Sequence, residues 1–246
     1  MSDWSSIDSV LQDSRSFIAP WEAKLRTLGG SQGTSLNNAV EAAKERSSIR
    51  SIILGPPDSL KEFACCVEKW TAELVRKNSR RCRGYLEIDL VNNIATSAWT
   101  NSVAHLLGIP LKSPSAPQAV LDCEALQEKL VALFRYIFSF SKLDSMQELP
   151  LRRSAVEANE QLSKVISEVC EAIKCSSFAH ILLHRHRRDS PDELMSEHGS
   201  ELLQRLFESG KTVKEVVDLV ALLAVQIAIP SAFAVSHPRA FSELAQ

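Results

Sequence analysis

Apolar positions along this chain recur three and four apart, the spacing of helices with one buried face, and almost never alternate. Phe63, Val67, Trp70 and Leu74 form one such stripe. It predicts a helix that opens at the capping box Ser59-Leu60-Lys61-Glu62 and runs to about 78. The stretch 85–107 continues at helical spacing until Gly108-Ile109-Pro110. Leu126, Leu130, Leu133, Phe134, Ile137 and Phe138 are the buried stripe of a helix over about 120–141. Ser154-Ala155-Val156-Glu157 reads as a second capping box, opening a helix to about 173. Ser190-Pro191-Asp192-Glu193 joins a cap, a proline at the first helical position and an acidic first turn; that helix is expected to end at Glu208, before Gly210. Thr212-Val213-Lys214-Glu215 then starts the last long helix.

The first fifty residues carry weaker signals. Trp4, Ile7, Val10 and Leu11 give a helical stripe, and Trp21, Leu25 and Leu28 continue it to Gly29-Gly30. A loop, SQGTS, and a polar helix over 35–46 follow. Residues 51–54 and 86–90 are the short candidates for strand. The reading is an all-α chain of eight to ten helices in a single multi-helix domain over 51–246, with 1–50 as an N-terminal helical extension.

One apolar run, Leu219 to Val235, needs separate treatment. It holds 17 residues, contains Gln226 and is broken by Pro230. A membrane span needs about 20 apolar residues, so a helix buried within the protein is expected and no transmembrane span. Pro230 has no N–H for the carbonyl of Gln226, which predicts a distortion over 226–230. Such distortions sit beside ligand cavities.

Charge narrows the partners. The chain has 28 basic and 30 acidic residues, a net charge of -2, which gives no reason to expect nucleic acid or an anionic membrane as its main partner. Its six cysteines form no CxxC pair, and the opening MSDWSSIDSVLQ is polar where a targeting segment would be basic and then apolar. Reduced thiols and a cytoplasmic location follow as expectations.

Familiar chemistry is scarce. His184, His186 and Asp189 lie in HRHRRD, where Arg185, Arg187 and Arg188 would repel a cation; a solvated basic loop is the reading, and no metal is expected. Cys65 and Cys66 are adjacent mid-helix, so they face different sides and pack rather than chelate. Lys77, Arg80, Arg81 and Arg83 lack interleaved aromatics for stacking on bases and read as a solvated connector. No DDxxD run, glycine-rich phosphate loop or GxSxG element is present.

Three segments, in order, nevertheless match a known pattern. Residues 86–112 read LEIDLVNNIATSAWTNSVAHLLGIPLK. Residues 126–166 include LVALFRYIFSF, LPLRRSA and EQLSKVI. Residues 194–217 read LMSEHGSELLQRLFESGKTVKEVV. Together they resemble the haem-thiolate, cytochrome P-450-type domain of fungal fatty-acid dioxygenase fusions, the linoleate diol synthases and psi-factor-producing oxygenases. The resemblance covers roughly 55–246. It implies the N-terminal half of a cytochrome P-450 fold up to its central long helix, truncated over 51–246.

The departures bear on function. In that family the long helix carries an Asn-Gln pair whose Asn helps rearrange a fatty-acid hydroperoxide; those positions fall on Ser231 and Ala232 here. The family's glycine-rich middle reads Val225-Gln226-Ile227. The ExxR helix and the haem-ligating cysteine loop would fall beyond Gln246, and the peroxidase-type domain is missing. None of the six cysteines sits in an FxxGxxxCxG-like context. The expectation is therefore a haem-free protein without cofactor.

The resulting functional reading is a cofactor-independent enzyme of fungal secondary metabolism. It would isomerise, cyclise or dehydrate an apolar oxygenated substrate: a polyketide, terpenoid or oxylipin. Gln226, Ser231, His237 and His105 are the candidate catalytic groups. Val225, Ile229, Pro230, Phe233 and Trp99 are the candidate pocket walls. The alternative is a non-catalytic relative that binds lipid or a partner protein, its apolar face covered by a homodimer or by residues 1–50. A third reading has haem held by His237 or His105.

Overall fold

Helix signals that depend on neighbouring residues are realised closely in the computed structural model, which describes residues 21–28, 47–53, 59–112, 117–138, 146, 148–175 and 191–227. Pro191 is the first residue of one helix, which ends at Glu208. Gly210 follows with φ +88°, and its N–H bonds the Phe207 carbonyl at 2.9 Å. Thr212 and Glu215 close their capping box reciprocally. The Thr212 backbone N–H donates to Glu215 Oε2 at 2.7 Å, and the Glu215 N–H donates to Thr212 Oγ1 at 3.3 Å.

In chain order the elements are α1 (Glu22–Thr27), a helical stretch over 47–53, α2 (Ser59–Asn78), β1 (Arg80–Cys82), β2 (Tyr85–Glu87) and a π-helical turn (Leu90–Ala95). Then come α3 (Thr96–Leu107), α4 (Cys123–Phe138), α5 (Glu148–Cys175), α6 (Pro191–Glu208) and α7 (Val213–Ile227). Among the described residues 80% are helical and the sheet is one antiparallel pair of short strands, so the class is all-α.

Three local expectations are corrected. The stretch 85–107 is not one helix: its first part is β2, paired with β1 through Arg80↔Glu87, Arg81↔Leu86 and Cys82↔Tyr85. Arg83 and Gly84, with φ of 47° and 90°, form the two-residue turn that suits a tight hairpin, and the basic run becomes a strand and its turn. Residues 51–53 are helical and not strand, continuing a helix from 47. Finally, α5 starts at Glu148, so Ser154 to Glu157 lies inside a continuous helix. Pro150 falls in its first turn, where a missing N–H costs nothing because those groups have no intrahelical partner.

The core lies between α3, α4, α5, α6 and α7. The last of these sits at its centre and packs on the other four. Leu126, Leu162, Leu202, Leu203, Val216, Val220 and Ala224 are fully removed from solvent. Each buried leucine contributes roughly 1.5–3 kcal/mol relative to exposure. Phe134 and Phe138, expected on the buried stripe of α4, are half-buried and stack on one another with centroids 4.9 Å apart. Tyr136, which the pattern left out, is fully buried instead. Its hydroxyl is 2.5 Å from Thr27 Oγ1, which ties α1 to α4. No described helix is long and apolar enough to cross a membrane.

Helix α3 ends at Gly108, whose φ of +68° lets the Ile109 N–H reach back to the Ala104 carbonyl at 2.8 Å. This compact stop exposes backbone to α6. At Gly199 the two segments touch without side chains between them.

Candidate functional site

Among the described residues buried polar side chains concentrate on α3, and α6 adds His198. Along α3, Thr100, Asn101 and Ser102 are consecutive and buried. Ser102 Oγ donates to the Ala98 carbonyl at 2.8 Å, and Asn101 Nδ2 donates to the Ser97 carbonyl at 2.8 Å and to Cys123 Sγ at 3.3 Å. Such bonds within the helix satisfy polar groups that have no water. Thr100 Oγ1 is buried without a hydrogen-bond partner.

On α6, His198 is buried with its Nδ1 3.7 Å from Glu62 Oε2 of α2. Its Nε2 has no hydrogen-bond partner. Burial, and then the Arg205 guanidinium, push the imidazole below its ordinary value, while Glu62 and Glu201 pull weakly the other way. Arg205 lies seven residues on, two turns along the same face. It is half-buried, and its Nε and Nη2 are enclosed with no hydrogen-bond partner. Asp218, on the adjoining α7, has a buried Oδ2 in the same condition. Buried donors and acceptors of this kind are costly and uncommon. His198 and Glu62 make a polar seam where α6 meets α2, with Arg205 two turns further along α6, and it reaches the surface at the half-exposed Glu62.

The residues expected from sequence are distributed differently. The Trp99 indole N–H donates to the Ile227 carbonyl at 2.7 Å, and the Phe63 ring meets it edge-on with centroids 5.7 Å apart. Trp99 therefore joins α2, α3 and the end of α7. Val225, on the last turn of α7, is buried in the common core. His105, six residues beyond Trp99 on α3, packs its ring on Trp70 with centroids 5.7 Å apart. The structure thus gives His105 and Trp99 separate aromatic neighbours. Gln226 is in α7 by its backbone; its side chain is outside the described residues, as are Ile229, Pro230, Ser231, Phe233 and His237. The HRHRRD segment with His184, His186 and Asp189 is also outside them.

A second buried polar site joins the N-terminal segment to the body. Lys24 and Glu148 are both buried, with Nζ 3.5 Å from Oε1. Neither Glu148 oxygen has a hydrogen bond of normal geometry. Lys24 Nζ also lies 5.6 Å from the centre of the Tyr136 ring. Glu148 is the first residue of α5, where the helix dipole favours a carboxylate.

Neither polar site was singled out from sequence. His198 stands in LMSEHGSELL among polar residues, and nothing there marks it as buried. One signal was available: His198, Arg205 and the apolar Leu202 share a helical face. A charged residue on an apolar face invites the question of what it meets.

Five of the described cysteines are free thiols. Cys123 is pushed up to about 11 by burial first and by Asp122 next, and its Sγ–H points to the Ser97 carbonyl at 3.7 Å. Cys170 is pushed up to about 11 by burial. Burial thus favours the thiol over the thiolate at both sites. Cys65 and Cys82 are exposed. Among the described residues no three His, Cys, Asp or Glu side chains converge as a metal site.

Comparison with known proteins finds partial matches among fungal oxygenases. It is 29% identical over 151 residues to psi-producing oxygenase A of Emericella nidulans, covering 61% of this chain and 13% of that protein. It is 24% identical over 214 residues to a bifunctional dioxygenase–epoxy alcohol synthase of Fusarium oxysporum, covering 85% and 16%. It is 22% identical over 233 residues to linoleate 10R-lipoxygenase of Aspergillus fumigatus, covering 93% and 20%. The chain thus spans a fifth or less of the length of these relatives. No family profile matches it, and no solved structure does. The chain is a divergent relative of the fungal oxylipin oxygenase fusions.

Proposed function

We propose that this chain binds an oxygenated fatty-acid derivative, its carboxylate met by Arg205 beside His198 and its apolar tail by the surrounding helices. The observation that supports this reading is the enclosed, unpartnered Nε and Nη2 edge of Arg205. Those two nitrogens offer parallel N–H donors that match a carboxylate. Unpaired, they carry a desolvation cost that an acid ligand offsets. The ligand class comes from the relatives, one of which is named for linoleate. In this reading residues 51–246 are the P-450-like body and 1–50 an extension, and the chain handles lipid with or without a second copy of itself.

A second reading, a cofactor-free isomerase, cyclase or dehydratase, is favoured by one feature of the same seam. His198 is held toward its neutral form and its Nε2 has no partner, which is the state a general base requires. A proton taken from the substrate by Nε2 would be returned at a second position in an isomerisation or cyclisation, or to the departing hydroxyl as water in a dehydration, with no redox partner. Gln226, Ser231 and His237 would then supply groups from the end of α7 and beyond.

The test is titration of the protein with linoleate, hydroxy-linoleate and hydroperoxy-linoleate, followed by tryptophan fluorescence and native mass spectrometry. Saturable binding that Arg205→Gln weakens roughly tenfold, the size of one charged hydrogen-bond pair, is the expected result. Absence of binding, or equal binding by the variant, overturns the proposal. Chromatographic analysis of the same mixtures separates the two readings. A rearranged or dehydrated product lost in His198→Gln supports the enzyme; unchanged ligand supports the binding protein.

A further inference from the structure

The hairpin β1–β2 and the turn after it present a surface that the net charge of the chain conceals. Arg76, Lys77, Arg80, Arg81 and Arg83 are all exposed, and none is held in an ion pair among the described residues. The same stretch, 76–91, has Glu87 and Asp89 as its acidic residues. Five basic against two acidic residues give it a local charge of +3, set against -2 for the whole chain. Within it, Tyr85 is 80% exposed, Leu86 67%, Leu90 63% and Val91 37%. This is the densest group of exposed large apolar side chains among the described residues.

The register places these two properties together. Residues directly opposed in an antiparallel pair share a face. Arg81 and Leu86 therefore stand on one side, with Arg80, Cys82, Tyr85 and Glu87 on the other. Both sides are exposed along both strands, so the hairpin projects from the helices without burying its own apolar residues. An isolated two-stranded ribbon is marginal in water, and one with exposed Tyr and Leu gains from a surface that covers them.

We propose that the hairpin tip docks on an anionic phospholipid surface. Tyr85 and Leu86, with Leu90 and Val91 behind them, would enter the headgroup region, while Arg80, Arg81, Arg83 and Lys77 meet lipid phosphates and carboxylates. Unpaired cations around exposed apolar side chains are what an interfacial lipid contact requires. A nucleic acid would take the cations but has little use for Leu86, Leu90 and Val91, and a single tyrosine is a poor stacking platform. The mode is peripheral and needs no spanning helix. It would bring a lipid-handling protein to the phase that holds apolar ligands, and it stands independently of the Arg205 seam.

The experiment is co-sedimentation of the full chain with phosphatidylcholine vesicles and with mixed phosphatidylcholine–phosphatidylserine vesicles, at low and high salt. The expected result is binding to the anionic vesicles alone, weakened by salt. The triple variant Arg80→Glu, Arg81→Glu, Arg83→Glu should abolish it. The double variant Tyr85→Ser, Leu86→Ser, which keeps every cation, should weaken it roughly tenfold or more. Circular dichroism should give both variants the wild-type helix content, since the hairpin lies outside the core. The proposal is overturned by no binding to anionic vesicles, or by binding that either variant leaves intact. It is equally overturned by single-stranded RNA that binds the wild type and the Tyr85→Ser, Leu86→Ser variant alike and displaces the vesicles.

Discussion

Gly199 of α6 lies against Gly108 at the end of α3 so closely that a Cβ on Gly199 would stand 2.4 Å from the Gly108 Cα and 2.4 Å from its backbone nitrogen. The His105 carbonyl oxygen would be 2.6 Å away. These are backbone atoms, so no rotamer change relieves the clash. The approach sets how near α6 comes to α3, and hence where its neighbour His198 meets α2.

Gly199→Ala should therefore destabilise the fold by about 3 kcal/mol, at the upper end of overpacking costs. In an exposed helix the same change would stabilise by about 1 kcal/mol, so the sign itself is diagnostic. Urea unfolding followed by circular dichroism measures it. An unchanged midpoint would mean that the two backbones are further apart.

Trp99→Phe keeps the ring against Phe63 but removes the donor to the Ile227 carbonyl. A loss of about 1–2 kcal/mol is expected, the cost of leaving an acceptor unmet. Amide exchange at the end of α7 should rise more than exchange in α5. Equal protection of α7 in both proteins would show that the bond does not hold that helix end.

Lys24→Met leaves Glu148 buried without its cation, and a loss of about 3–5 kcal/mol follows. Lys24→Met combined with Glu148→Leu should recover most of this, because an apolar pair has no charge to desolvate. Thermal melts of the wild type, both single variants and the double variant give the coupling directly. Additive losses would show that the two residues act separately.

His198 makes stability depend on pH. Its folded value lies below the ordinary 6.5, so the unfolded chain binds a proton that the folded protein refuses. The stabilisation is complete above the unfolded value and is lost as pH falls below 6.5 toward the folded value. His198→Leu should flatten the melting temperature between about pH 5 and about pH 7 relative to wild type. Parallel curves for the two proteins would assign the pH dependence to other groups.

Thiol reactivity should divide the described cysteines. Cys123 and Cys170, both pushed up to about 11, hold roughly a hundredth of the thiolate of a thiol at 9.0. Cys65 and Cys82 are exposed. A short pulse of N-ethylmaleimide on the native protein, read by peptide mapping, should label Cys65 and Cys82 well before Cys123 and Cys170. Early labelling of Cys123 would place it nearer solvent than the fold does.

What the sequence determined by itself is whatever neighbours along the chain enforce. The bounds of α6, from Pro191 to Glu208, and the Thr212–Glu215 cap of α7 were legible because cap, proline and glycine act within one turn of themselves. The stripe on α4 was legible for most of its members by the same helical period. The relation to oxylipin oxygenases was likewise legible, as ordered motifs. The Tyr85–Glu87 strand was legible only as one of two readings, since 86–90 was a strand candidate while the apolar spacing over 85–107 fits a helix, and only pairing with Arg80–Cys82 selects the hairpin. The early start of α5 was masked by the box-like Ser154 to Glu157, which lies inside the helix, and Pro150 fits there because it falls in the first turn. The candidate site was the least legible part. His198, Arg205, Lys24 and Glu148 are ordinary surface residue types, and what makes them exceptional is being enclosed. Enclosure depends on contacts such as Trp99 with Ile227, 128 positions apart, and Gly199 against Gly108. Local rules fix which segments coil. Burial and charge pairing exist only after those segments pack, so the tertiary structure alone decided which polar groups lost their water.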